Sequence, residues 1–281
     1  MGLLVKRLCI IPFSLIILLS GCSYKNDNSY TDNQIPSHIG NTNNVQVQKS
    51  WNEVDLYDKT EYEYNNDSVS FFTSRMRQMP EGFYKQGDQT HVIILGQLIP
   101  DNHSLKLEFT ERDADFNVVK VIEDTTYTEH NSMYPITIPK KENAIYTLYV
   151  EITSPYGEVI GQNLSLLEVP PEEMNAKLTI NKTNFEPTEH LKLSLKNWGP
   201  TDLFFGIHYT VERKTLGKWK VMNGDMAFQE MAYGLTPGET FEQEVDLGFM
   251  KLGPGSYRIR KTIEAEYTSI IEQVAVEFTV E

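Results

Sequence analysis

His38, His91, His103, His130, His190 and His208 are the side chains in this sequence best suited to hold zinc or move a proton near neutral pH. They are scattered, form no H-E-x-x-H pair and share no ligand spacing, so the sequence points to no metal site. Asp113-Ala114-Asp115-Phe116-Asn117 opens like a calcium loop, but Phe116 and Val118 stand where the flexibility of glycine is wanted. The twelfth position is Asp124 in place of a bidentate Glu, and a hairpin turn is the expected reading. No G-x-S-x-G elbow and no S-x-x-K occurs, which removes the recognisable serine centres. Gly248 to Gly255 carries three glycines but no Gly-Lys-Ser or Gly-Lys-Thr, and it leads into a strand where a phosphate cradle needs a helix N-terminus. The expectation is therefore no catalytic residue, no cofactor and no metal.

Cys9 and Cys22 are the only cysteines. Cys9 lies inside an apolar run from Leu8 to Leu19 that follows Lys6 and Arg7 and precedes the small pair Ser20-Gly21, the layout of an export signal over residues 1–21. The run is too short to span a bilayer, which takes about 20 apolar residues. Leu19-Ser20-Gly21-Cys22 resembles the lipobox of bacterial lipoproteins. That resemblance implies a Cys22 diacylated on sulfur and exposed as the new N-terminus, at the extracytoplasmic face of the cell membrane. Two acyl chains at about 0.8 kcal/mol per methylene make such an anchor effectively permanent, on the order of 20 kcal/mol. The alternative is an ordinary signal with an incidental cysteine. Either way no disulfide remains, and stability must come from buried cores.

Losing Lys6 and Arg7 with the leader takes the formal charge from −14 to −16. Such a surface repels phosphate backbones, so nucleic acid is not an expected partner. Residues 22–49, rich in Asn, Ser and Asp, bury too little apolar surface to offset chain entropy and read as a disordered tether. Residues 50–86 contain DSVSFFTSRMRQMP, a short helix capped by Asp67 or Ser68 and stopped by Pro80, with a strand through Val69, Phe71 and Thr73 as the competing pattern.

From Gly87 onward the period is two. Val92-Ile94, Leu105-Leu107-Phe109, Val119-Val121, Tyr146-Leu148-Val150-Ile152 and Leu164-Leu166 read as half-buried strands of a first sandwich over residues 87–169. Pro170 and Pro171 break the pattern and mark a linker over residues 170–175. Alternation resumes over residues 176–281 through Leu191-Leu193-Leu195, Ile207-Tyr209-Val211, Tyr257-Ile259 and Val274-Val276-Phe278-Val280. Trp198, Trp219, Phe204 and Phe228 are its large core candidates. The predicted fold class is all-β: two tandem immunoglobulin-like antiparallel β-sandwiches after a lipidated disordered tether.

Pro237-Gly238 and Pro254-Gly255 suit type II turns, with Pro fixing the first central φ and Gly supplying the positive second. Tyr257 is placed to pack inward while its hydroxyl reaches backbone at the sandwich end. AKLTINKTNFEPTEHLKLSLKNWGPTDLFFG, YTVERKTLGKWKV, YGLTPGETFEQEVDL and GPGSYRIRKTI together resemble the bacterial immunoglobulin-like domain of lipoproteins and other exported Gram-positive proteins. The first sandwich is more loosely similar to macroglobulin-type or fibronectin-like modules. The resemblance implies a fold and no reaction. The expected function is a non-catalytic cell-surface binding or scaffolding module, engaging an envelope protein, peptide or glycan through loops or a sheet edge. A peptidase inhibitor is the alternative, because Leu235-Thr236-Pro237-Gly238-Glu239 and the strand after it also resemble small β-sandwich proteinase inhibitors. An envelope hydrolase stands third.

Overall fold

A computed structural model describes residues 34–41, 43–47, 54–65, 77–94, 99–129, 131–222 and 226–281. The leader, Cys22 and residues 67–76 of the helix-or-strand stretch lie outside the described residues; its last part, Arg77–Gln78, is a strand and not the final turn of a helix stopped by Pro80. In chain order the described elements are β1 (His38–Ile39), α1 (Leu56–Lys59), β2 (Arg77–Gln78), β3 (Gly82–Phe83), β4 (Gln89–Ile94), β5 (Ser104–Arg112), β6 (Val118–Tyr127), β7 (Met133–Thr137), β8 (Ala144–Thr153) and β9 (Val159–Val169). After the prolines come β10 (Met174–Ile180), β11 (Asn184–Phe185), β12 (His190–Pro200), β13 (Leu203–Gly206), β14 (Thr210–Thr215), β15 (Lys218–Val221), β16 (Ala232–Leu235), β17 (Thr240–Asp246), α2 (Leu247–Met250), β18 (Gly255–Ala265) and β19 (Ile271–Val280).

The regular elements are nearly all strands, in two sandwiches built on one plan. In the first, β2-β4-β7 faces β3-β9-β8-β5-β6; in the second, β1-β10-β12-β17 faces β11-β19-β18-β13-β16, with β14 joining β18 and β15 joining β14. The predicted antiparallel pairing holds except at one short place in each domain. There β3 runs parallel to β9 and β11 parallel to β19, so the opening of each domain is shared between both sheets. β2 and β3 precede Gly87, and the first sandwich therefore begins earlier than the alternation alone suggests.

Alternation decides which side chains meet between the sheets. Leu105, Leu107 and Phe109 from β5 and Tyr146, Leu148, Val150 and Ile152 from β8 pack against Val92, Ile94, Tyr134 and Ile136 of the facing sheet. In the second core, Leu191, Leu193, Leu195 and Val245 meet Val211, Tyr257, Ile259, Val274 and Phe278. Each such side chain contributes about 1.5–3 kcal/mol on burial, which is how the fold stands on its cores alone.

Some expected core positions lie elsewhere. Val119 and Val121 are about half exposed on β6, the edge strand of its sheet, where two irregularities in pairing with β5 twist the strand out of register. Phe204 is 42% exposed on the outer side of β13. Trp198 is half-buried on β12 with Lys196 Nζ over its ring, and it lies outside the second core. Trp219 is buried, but its ring lies over Arg258, which pairs with Glu212 across β14 and β18, and the tryptophan is not part of the core cluster. Phe228 does pack against the second core.

Leu164 and Leu166 are buried for a reason that alternation hides. They project from the outer face of the five-stranded sheet, and residues 54–65 form a third layer over it. Val54 and Leu56 pack on Leu166, Ile145 and Phe116. Tyr62 stacks on Tyr149 at 4.1 Å between centroids and donates to Glu108 at 2.9 Å. Arg112 donates to both oxygens of Glu61 at 2.6 and 2.8 Å, and Gln162 donates to the Glu63 carbonyl.

The segment expected as free tether is likewise partly folded. β1 pairs with Lys177 and Ala176 of β10. Leu178 N–H donates to the Ser37 carbonyl at 2.8 Å and Ala275 N–H to the Pro36 carbonyl at 2.9 Å, so residues 36–39 bridge the two sheets of the second sandwich. Further on, Gln46 N–H donates to the Trp198 carbonyl, and Asn41 N–H to Asn175 Oδ1. Gly199 makes that approach possible: its φ is +84°, and a Cβ there would meet the Gln46 carbonyl oxygen at 1.8 Å.

Candidate functional site

The stretch between the sandwiches is short, Pro170 to Glu173, and the first domain holds its start: Asn143 N–H donates to the Pro170 carbonyl and Glu172 N–H to the Glu142 carboxylate. The Glu172 carboxylate accepts from Ser269 N–H at 3.0 Å, Ser269 Oγ at 2.7 Å and Gln86 Nε2 at 3.0 Å, tying the turn after β3 to the β18–β19 turn. Burial alone would raise its pKa, but the donors from Ser269 and Gln86, with Lys85 nearby, hold it below the usual carboxylate value. Beside this hub the Phe83 and Tyr267 rings stack at 5.8 Å. Thr201 Oγ1 donates to the Glu173 carbonyl at 2.8 Å, which fixes the chain as it enters the second sandwich.

These contacts leave an open groove of about 330 Å³ lined by Lys85, Asp88, Phe204, Glu264, Glu266 and Tyr267. The register explains its composition: Phe204 of β13 lies opposite Glu264 of β18, on the face away from the core. Phe204 and Tyr267 are each more than 40% exposed. Glu266 is pushed above its ordinary pKa by burial and then by repulsion from Asp202 and Glu264. The groove thus offers two aromatic faces among charges that are mostly negative.

The histidines do not assemble. His38 lies on β1, His91 on β4, His103 precedes β5, His190 opens β12 and His208 follows β13; His130 is outside the described residues. Among the described residues no three His, Cys, Asp or Glu side chains converge as metal ligands. His208 is held below its usual pKa by burial and by Lys261 and Arg260, and its ring sits edge-on to Phe228. The Asp113 loop is a hairpin connection: its carboxylate accepts from Asp115 N–H, Asn117 N–H and Asn117 Nδ2 at 2.9–3.3 Å, so the loop satisfies its own acid.

The second sandwich carries the fine structure that its turns predict, with one exception. Gly238 has φ +95° and Glu239 N–H donates to the Thr236 carbonyl, as a type II turn requires. Gly255 has φ +155° and already belongs to β18, so Pro254-Gly255 is not that turn; the glycine makes room for the Arg213 guanidinium, which a Cβ would meet at 3.2 Å. Tyr257 is fully buried and its hydroxyl donates to the Gly253 carbonyl at 2.6 Å. Residues 172–279 match the family model described as a bacterial Ig-like domain. The bacterial Ig-like domain therefore covers the whole second sandwich except its final residues and the N-terminal segment docked on it.

No curated protein matches the chain. Among solved structures, the FN1-FN3 domains of chicken CNTN1 are similar at 11% identity with a TM-score of 0.38, over 72% of this chain and 63% of that one. Fibronectin(III)-like modules of Clostridium thermocellum CbhA are similar at 16% identity and TM-score 0.33, over 72% and 90%. Escherichia coli alpha-2-macroglobulin, activated by porcine elastase, gives 13% identity and TM-score 0.27, over 75% of this chain and 22% of that one.

Two features of the Ig-like domain escaped sequence reasoning. Lys261 is 2% exposed, and its ammonium donates to the carbonyls of Gly206, Ile207 and His208 and to Gln243 Oε1 at 3.0–3.3 Å. Burial pushes it down to about 8, and the four oxygens favour the charged form at neutral pH. The Pro237-Gly238 turn is covered: Lys196 donates to the Gly238 carbonyl, Gly238 N–H donates to Asn197, and Val45 lies against Gly238.

Proposed function

We propose that the chain is a cell-surface lipoprotein, held by lipid on Cys22, whose two sandwiches act as a non-catalytic binding or scaffolding module for an envelope peptide, protein or glycan. The observation that supports recognition is the junction. Glu172 and the Phe83–Tyr267 stack hold two domains together, and there Phe204 and Tyr267, each more than 40% exposed, lie among Lys85, Asp88, Glu264 and Glu266. Ligand sites favour domain interfaces, and aromatic faces flanked by a few polar groups suit sugar rings and peptide side chains. The lipid anchor rests on the lipobox resemblance at Leu19 to Cys22.

The test uses the mature chain against arrays of envelope glycans and peptides, together with in-cell crosslinking from the junction. A Phe204→Ala variant is expected to lose at least ten-fold in affinity for any ligand found, with unchanged unfolding. Ligands bound equally by that variant place recognition elsewhere, and no ligand at all refutes the module reading. Partition of the wild type into a detergent phase, lost in Cys22→Ala, tests the anchor.

A further inference from the structure

The first sandwich contains an acid for which the described chain supplies no partner. Glu168 on β9 is 1% exposed, and neither of its carboxylate oxygens has a hydrogen-bond partner. Cross-strand pairing places it in one row with Ile145 of β8 and Arg112 of β5, on the outer face of the sheet. All three line a partly open cavity of about 410 Å³, to which Glu111, Asp113 and Lys141 also contribute.

The other charges at this cavity are already matched. Arg112 gives its guanidinium to both oxygens of Glu61, to Thr147 Oγ1 and to the Phe116 carbonyl. Lys141 pairs with Glu111, and Asp113 is occupied by the donors of its own loop. What remains is the single negative charge of Glu168, buried in the wall of a space of the size that small molecules fill. Protonation does not resolve the difficulty, since a neutral carboxylic acid would leave its hydroxyl unpaired as well. A buried, unmatched carboxylate is among the costlier features a fold can retain, and such groups concentrate at binding sites.

We propose that this cavity is a binding site for an organic cation bearing N–H donors, an ammonium or guanidinium group, with Glu168 as its counter-ion. The group can come from a free amine or from a basic side chain of a peptide. The site lies in the first sandwich, apart from the junction groove, and stands or falls independently of it.

The experiment is titration of the mature chain by NMR and calorimetry at pH 8 in phosphate. The probes are n-butylammonium and n-butylguanidinium as free cations, Nα-acetyl-lysine amide and Nα-acetyl-arginine amide as peptide-borne ones, and tetramethylammonium as a cation without N–H donors. Binding of at least one N–H probe, weakened ten-fold or more by Glu168→Gln and unaffected by Glu158→Gln, an exposed acid of the β8–β9 turn away from the cavity, supports the proposal; which pair binds names the source. The proposal is overturned if no N–H probe binds at millimolar concentration or if Glu168→Gln binds as the wild type does. It is equally overturned if tetramethylammonium binds as well as the others, or if Glu158→Gln matches the loss, because the attraction is then diffuse. Glu168→Gln keeps the side chain's shape and removes an unmatched charge, so it is expected to fold.

Discussion

Replacing Glu168 by Gln should stabilise the protein, and by an amount that grows with pH. Burial lifts this carboxyl from 4.5 to about 7, with no hydrogen bond or opposite charge working against it. The folded chain therefore holds the proton more tightly than the unfolded one. For an acid with a raised folded pKa, no penalty exists below the unfolded value. Stability is lost as pH rises from 4.5 through 7 and is level above that. At 1.36 kcal/mol per unit, the wild type gives up about 1 kcal/mol by pH 5 and about 3 kcal/mol by pH 8.5. Gln cannot ionise, so Glu168→Gln should be close to the wild type in urea unfolding near pH 4.5 and about 3 kcal/mol more stable at pH 8.5. Phosphate is the buffer of choice, because an amine buffer is itself a candidate occupant of the cavity. Parallel stability curves for the two proteins across this range, or a variant less stable at high pH, would refute the account of Glu168 as an unmatched buried charge.

Lys261→Met should cost about 1–3 kcal/mol in urea unfolding, since the carbonyls of Gly206 and His208 lose their shared donor, while that of Ile207 keeps the one from Gln243. Tyr257→Phe removes only the bond to the Gly253 carbonyl and should cost about 1 kcal/mol by the same measurement. Glu172→Ala should leave unfolding midpoints nearly unchanged while broadening the interdomain distance distribution in X-ray scattering, because its three donors bridge the domains and lie in neither core. Gly199→Ala should raise hydrogen exchange across residues 36–46 with β12 still protected; exchange unchanged in that segment would show that the close approach of Gln46 is not what holds it.

The inner rows of both sandwiches were legible because a strand's period of two survives whatever the rest of the chain does: Leu105 to Phe109 and Leu191 to Leu195 lie where alternation places them. What alternation cannot report is whether a second face is also covered. Leu164 and Leu166 read as ordinary inward residues, yet their burial depends on Val54 and Leu56, about a hundred positions earlier in the chain. β1 is two residues long in a polar stretch, and backbone hydrogen bonds hold it where no apolar pattern could announce it. Val119 and Val121 alternate properly but sit on an edge whose pairing slips twice, so nothing covers them. The Glu168 cavity did leave one trace, an acid between Leu-Leu and Val-Pro in a strand buried at nearly every position. At the junction, Phe204 was visible as a large aromatic, but its outward direction follows from pairing with Glu264 across sixty residues.

The docking of residues 36–41 and 43–46 on the Ig-like domain makes the order of the chain differ from the order of the parts in space. The polypeptide visits the far domain, returns to lay residues 54–65 on the near one, and only then builds both. A protease that severs Pro170 to Glu173 would thus produce two fragments that stay together, since the upstream fragment owns a strand in the downstream fragment's sheet.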